Sequence, residues 1–360
     1  MAVRTATPTT GWLLRGTDGR LTAWAAVAGG VLRWTETRPG GPGWTGPQRF
    51  DVPGLEPRLS IARTPQGYVH LAGLRRRAHD DGRAETDVVY TTQFQSGLAM
   101  TPWRSIGTPY GQDWQRADQI GAPTVVVDSV GAHIVVRNAG GGVCARRMDV
   151  RGAWGPWTDI KGSHVLDTVS AAVTDDGRIE LLAPAEEFVL RWRQEEPGGP
   201  LRRVLNTPAK PLAGSASSAP AADGRIAHYW RSAADGVLHV QTPDAGPDGA
   251  EAPAPVPLTS LGGDGQGPVA SLRTELAGRP CTILAQRAPS GRPAVTAFPD
   301  DAPSEATWQE TGEPCVGAPT LTLDAANRVV LATITPEGGL RVARQKDGEP
   351  GLALGEWERA

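Results

Sequence analysis

The sequence predicts an all-β fold, a seven-bladed β-propeller with four antiparallel strands per blade. Three observations predict it. A tight turn recurs along the whole chain, centred on Gly19, Gly67, Gly131, Gly177, Gly224, Gly278 and Asn327. Six intervals from Gly19 to Asn327 average about 51 residues, so 360 residues hold about seven units. Gly and Asn tolerate the positive φ that hairpin turns demand. Four short β-like runs accompany each turn. The composition, with Gly 45, Pro 32 and Trp 12, suits many strands joined by turns and excludes a helical bundle, a coiled coil and collagen.

The runs justify the strands in order. An apolar run precedes the turn, as in Thr124-Val125-Val126-Val127, and becomes the inner strand. A second follows it, as in Ile179-Glu180-Leu181-Leu182. A third often ends in Gln or Arg, as in Leu190-Arg191-Trp192-Arg193-Gln194 and Leu340-Arg341-Val342-Ala343-Arg344-Gln345. A fourth carries Trp near its start in several units, as in Trp103, Trp157, Trp308 and Trp357. Such a sheet is apolar on both faces and buries them by radial packing, with Trp as large inter-blade plugs. The blades are expected at about 11–52, 53–107, 108–162, 163–206, 207–261, 262–312 and 313–360, a single propeller over 1–360. In the phasing that starts the chain with an inner strand at Trp12–Arg15 and ends it with an outer one at Trp357–Arg359, closure is expected by packing of blade one on blade seven; a phase shifted by one strand would call for a swapped strand instead.

Charge and cysteines narrow the function classes. A net charge of −3 gives no field for nucleic acid. Basic residues are almost all Arg; the three lysines are Lys161, Lys210 and Lys346, a bias of GC-rich bacterial coding. Cys144, Cys281 and Cys315 show neither disulfide nor zinc spacing, so no metal and no cofactor are expected. The N-terminal residues 1–16 hold no apolar signal core, and no apolar run approaches 18 residues. The expected location is cytoplasmic, without membrane insertion.

Two insertions break the repeat. Unit two carries a long loop from Arg75 to Arg83 that includes His79, Asp80 and Asp81. The join to unit three carries another, from Thr108 to Gln119. Both connection types emerge on the same propeller face, and long loops on rigid scaffolds usually carry function. Arg76, Tyr110, Trp114, Gln115 and Arg116 are the candidate ligand-binding residues. His79, Asp80, Asp113 and His164, the last on the next inter-blade loop, are the candidate acid–base residues. The strand residues His70, His133, His228 and His239 read as packing residues, and the third-strand Gln as backbone partners between blades. Nucleophile-elbow, metalloprotease, P-loop and dinucleotide motifs are absent from the sequence.

The unit running from Trp157-Thr158-Asp159-Ile160 through Asp176-Gly177-Arg178 to Leu190-Arg191-Trp192-Arg193-Gln194 resembles that of the bacterial seven-bladed propeller lectins; fungal fucose lectins and tectonins carry looser versions. The resemblance implies a non-catalytic protein that binds monosaccharides between blades through Trp or Tyr stacking and polar hydrogen bonds. Three function classes follow. The first is a lectin-like propeller binding a glycan or other small ligand on one face. The second is a cofactor-independent enzyme of specialised metabolism, a lyase, cyclase or hydrolase with one rim pocket. The third is a scaffold with a protein partner on the loop-rich face.

Overall fold

A computed structural model describes residues 10–80, 82–167, 169–243, 259–349 and 351–360. Asp81 and residues 1–9 of the N-terminal segment lie outside the described residues. The chain forms a seven-bladed β-propeller in which every blade is a consecutive antiparallel sheet. Blade one holds β1 (Leu13–Arg15), β2 (Leu21–Val27), β3 (Gly30–Glu36) and β4 (Trp44–Asp51). Blade two holds β5 (Leu55–Arg63), β6 (Val69–Ala78), β7 (Ala84–Gln93) and β8 (Arg104–Ser105). A single turn of helix, α1 (Trp114–Ala117), lies between blades two and three. Blade three holds β9 (Thr124–Val127), β10 (Ala132–Arg137), β11 (Val143–Arg147) and β12 (Thr158–Lys161). Blade four holds β13 (Ser170–Val173), β14 (Ile179–Pro184), β15 (Phe188–Gln194) and β16 (Leu201–Arg203), with β17 (Thr207–Pro208) also pairing β15. Blade five holds β18 (Ser217–Pro220), β19 (Ile226–Arg231), β20 (Leu238–Gln241) and β21 (Thr259–Gly262). Blade six holds β22 (Gln266–Leu276), β23 (Arg279–Arg287), β24 (Pro293–Pro299) and β25 (Gln309–Glu310). Blade seven holds β26 (Val316–Leu323), β27 (Val329–Ile334), β28 (Leu340–Arg344) and β29 (Glu358–Arg359). No helix of the described residues is long and apolar enough to cross a membrane.

Each recurrent turn joins the first strand of a blade to its second. Six of the seven central residues have positive φ, including Asn327 at 58°. Gly131 is different. Its φ is not positive, but a Cβ there would sit 2.4 Å from the Met148 carbonyl oxygen. Glycine is needed at that turn for close backbone approach rather than for handedness.

Burial follows position in the blade. The second strands β2, β14, β19 and β27 are buried along their whole length, while the outer strands β4, β12 and β16 are largely exposed. A second strand is covered on both faces by neighbouring blades, which is why it reads as continuously apolar. Trp side chains bridge blades as expected: Trp192 Nε1 donates to the Ile160 carbonyl (2.8 Å) and Trp308 Nε1 to the Leu261 carbonyl (3.1 Å).

The third-strand Gln is a structural part, but its backbone contacts, expected between blades, lie within its own blade; what Gln194 reaches in blade three is the Asp128 carboxylate (3.1 Å). Gln194 Oε1 accepts from the Ile179 N–H (2.7 Å), and its amide donates to the Gly199 carbonyl (3.0 Å). Gln345 repeats both contacts with Val329 and Gly351. Blade one has Glu36 at this place. It accepts from the Leu21 N–H (2.8 Å) and from the Arg344 guanidinium of blade seven (2.8 Å). Trp12 Nε1 donates to the Ala318 carbonyl (3.0 Å) across the same seam. Blade one therefore closes on blade seven by packing and buried charge, with no strand exchanged.

Candidate functional site

The two insertions meet at the outer edge of the junction between blades two and three. Arg75 to Ala78, expected in a loop, are residues of β6, and β7 already starts at Ala84. Cross-strand charge explains the extension. Arg75 faces Asp87 and Arg77 faces Glu85 in register, with guanidinium–carboxylate distances of 2.8 Å in both pairs. Opposite charges directly across an antiparallel ladder favour its continuation. The second insertion folds back on this ribbon. Asp113 caps α1 by accepting from the Arg116 N–H (3.2 Å). Arg76 ties the two insertions together by pairing with both Glu56 and Asp118, and Thr86 Oγ1 donates to Asp118 (3.2 Å).

Between ribbon, helix and blade three lies a cleft of about 580 Å³. Its aromatic walls are Trp114, 43% exposed, and the half-buried Trp157. Its polar walls come from His79, Thr86, Asp87 and Arg146. His79 Nε2 lies 3.1 Å from Glu85 Oε2. Asp87, nearly buried, holds the guanidinium groups of Arg75 and Arg77. Arg146 donates to the Gly155 carbonyl (2.6 Å) and to that of Ile106, and its guanidinium carbon lies 6.0 Å from the centre of the Trp157 ring. Trp157 Nε1 is buried with no hydrogen-bond partner among the described residues.

The floor of this junction is buried. His70 stacks on Tyr90 and shares a hydrogen bond with its hydroxyl, and Tyr90 meets Trp154 of blade three edge-on at 5.1 Å. Burial drives the His70 pKa down to about 4, so the ring is neutral at pH 7 and belongs to packing. His133 and His228 are likewise buried, against Asp128 (2.9 Å) and Glu180 (3.3 Å).

Of the candidates read from sequence, His79 and Trp114 line the cleft. The others take different places. Tyr110 packs half-buried against the blade core; its hydroxyl accepts from the Ala139 N–H (2.8 Å), and Arg116 lies over its ring. Arg76 is spent on its two carboxylates. Gln115 is exposed and gives its carbonyl to the Gln119 amide. Asp80 is exposed and does not line the cleft, nor does Asp113. His164 stands on the blade three to four connector, with φ of 57°, and its carbonyl accepts from the Glu186 N–H. The four acid–base candidates therefore do not converge. Sequence reading missed Thr86, Asp87, Arg146 and Trp157, which are ordinary strand residues of the repeat until the insertions open a space above them. The i, i+2 spacing of Glu85 and Asp87 against Arg75 and Arg77 was the available signal. No metal-binding cluster of His, Cys, Asp and Glu occurs among the described residues.

No protein-family model matches the chain, and no curated protein matches it in sequence. Solved structures do resemble it. A Hadza microbial sialidase matches at a TM-score of 0.56 and 12% identity, over 91% of this chain and 74% of that one. AofleA from Arthrobotrys oligospora matches at 0.53 and 10%, over 82% and 85%. An α-L-arabinanase of Penicillium chrysogenum, solved with arabinobiose, matches at 0.51 and 12%, over 84% and 95%. At these identities the likeness concerns the propeller fold alone.

Proposed function

We propose that the chain is a lectin-like, carbohydrate-binding propeller that takes a sugar ring in the cleft between blades two and three. The observation that carries this is the pairing of an exposed Trp114 with Trp157 in one cleft walled by hydrogen-bonding groups. The apolar face of a pyranose packs on an indole, while Thr86, Asp87 and Arg146 offer acceptors and donors to its hydroxyls. Asp87 and Arg146 are already held by neighbours, so their directions are fixed before a ligand arrives, which lowers the ordering cost of binding. Trp114 has no part in the blade cores, so its exposure is not a packing requirement. The sugar-directed names of two structural neighbours, the sialidase and the arabinanase, support this reading. Among the described residues this pair of insertions occurs at this junction, so one such cleft per chain is expected to take a neutral sugar.

A glycan microarray probed with the wild-type chain and with Trp114→Ala tests the reading. Binding to one group of neutral glycans, lost in the variant, is the expected outcome. A wild-type chain that binds nothing above background sinks it, as does a variant that keeps the same ligands.

A further inference from the structure

A second and larger space, about 930 Å³, opens at the outer edge of the next junction, between blades three and four. Its charge is unlike that of the chain. Arg146, Arg147, Lys161, Arg202 and Arg203 line it, against the two carboxylates of Asp149 and Asp159. Five cations over two anions leave +3 in the groove, or +2 once Glu195, the partner of Arg202, is included. The whole chain carries −3. Surface charge is normally interspersed, so a cationic groove on an acidic protein is a directed field.

The cations are placed but not exhausted. Arg147 spans the junction to the Gly198 carbonyl, which fixes its stem and leaves other N–H groups free to bond. Arg203 lies over the Trp192 ring at 5.7 Å and bonds Asn206 Oδ1 (2.8 Å). Lys161 and Arg202 keep exposed side chains, each with one carboxylate nearby, at 3.3 and 3.1 Å. Lys161 sits at the end of β12 with a left-handed backbone, φ 71°, pinned by the Asp159 carboxylate on its N–H (2.8 Å). A lysine in that conformation is uncommon in a chain where nearly every other cation is arginine.

We propose that this groove binds an acidic oligosaccharide, one whose rings carry carboxylate or sulfate groups. The volume suits several linked rings rather than a lone anion. Glycine backbone at Gly155, Gly198 and Gly199 and the half-buried Trp154 give the groove flat surface for rings between the charges. Guanidinium groups match carboxylate and sulfate oxygens in paired hydrogen bonds. The inference does not depend on the neutral-sugar reading of the neighbouring cleft, although Arg146 and Pro156 border both spaces.

The test is calorimetric titration of the full chain with tetragalacturonate and with a heparin-derived tetrasaccharide, at low and high salt. The carboxyl-reduced, neutral form of tetragalacturonate is the control. At least one acidic probe is expected to bind, about tenfold more weakly in high salt. A Lys161→Gln/Arg202→Gln double variant should lose tenfold or more, and Lys161→Arg/Arg202→Lys should recover most of it. Trp114→Ala should leave this binding intact, which separates it from the cleft between blades two and three. Binding of neither acidic probe, equal affinity in the charge-neutral variant at unchanged melting temperature, or loss in Trp114→Ala alone each overturns the proposal.

Discussion

The seam between blades seven and one and the junction between blades two and three use the same kind of interface to opposite ends. At the seam Trp12, Leu13, Trp34, Val330 and Val342 are fully packed, and the Glu36–Arg344 pair is buried within them. At the other junction the inner floor is equally tight, through His70, Tyr90 and Trp154, but the outer edge is held apart by a ribbon and a turn of helix. The difference teaches that the inner strands and turns hold the ring together, while the outer edge of a blade is free to become a site. Function can be added to the rim without disturbing closure, because the outer strands β4, β8, β12, β16 and β25 are largely exposed to begin with.

The comparison can be broken first at the seam. Glu36→Ala leaves Arg344 short of a buried partner and the Leu21 N–H without its acceptor. Loss of a buried pair member costs about 3 kcal/mol or more, read as a lowered denaturant midpoint. Glu36→Gln keeps the acceptor and copies what Gln194 and Gln345 do in their blades, so it should lose clearly less. Equal loss in both variants would mean that charge alone, rather than the repeated backbone contact, holds this place.

Acid should act on the other junction. The folded His70 pKa, about 4, lies below its ordinary 6.5 because burial disfavours the cation. The unfolded chain therefore binds a proton first. This contribution is complete above pH 6.5 and is lost as pH falls through that value toward 4, up to about 3 kcal/mol. Denaturant midpoints at pH 7.5 and 4.5 should differ less in His70→Gln than in the wild-type chain. An unchanged difference would place the acid sensitivity elsewhere.

The smallest expected effect on stability is at the rim. Trp114→Ala should change it by no more than about 0.5 kcal/mol, as for an exposed side chain outside the core. A larger thermal shift would make Trp114 a plug rather than a ligand platform, and would sharpen the line between floor and edge.

The repeat was legible because its signals are local. The turn glycines and the paired apolar runs each report a neighbour a few residues away, the Trp and Gln positions recur at matching places in several blades, and the strand order follows. Closure was legible only up to a choice of phase, because a shift by one strand would have called for an exchanged strand; the seam contacts of Trp12 and Glu36, 306 and 308 residues from their partners, decide it. The site was legible only as a place. The insertions are visible as breaks in the period, yet whether a side chain faces cleft or core depends on long-range docking. Tyr110 and Arg76 look like surface ligands in sequence, but one is anchored to the Ala139 N–H and the other bridges Glu56 and Asp118. Trp157 looks like one more blade plug until α1 and the ribbon leave a space beside it. His164 shares the right class of loop, but it stands one junction further round the disc.

The most direct test is the stoichiometry of a neutral glycan on this chain. Calorimetric titration with a glycan identified on the array should give one site per chain, with affinity reduced tenfold or more by Trp114→Ala. Several equal sites per chain, or an affinity untouched by that substitution, would contradict the assignment of neutral-glycan binding to the junction between blades two and three.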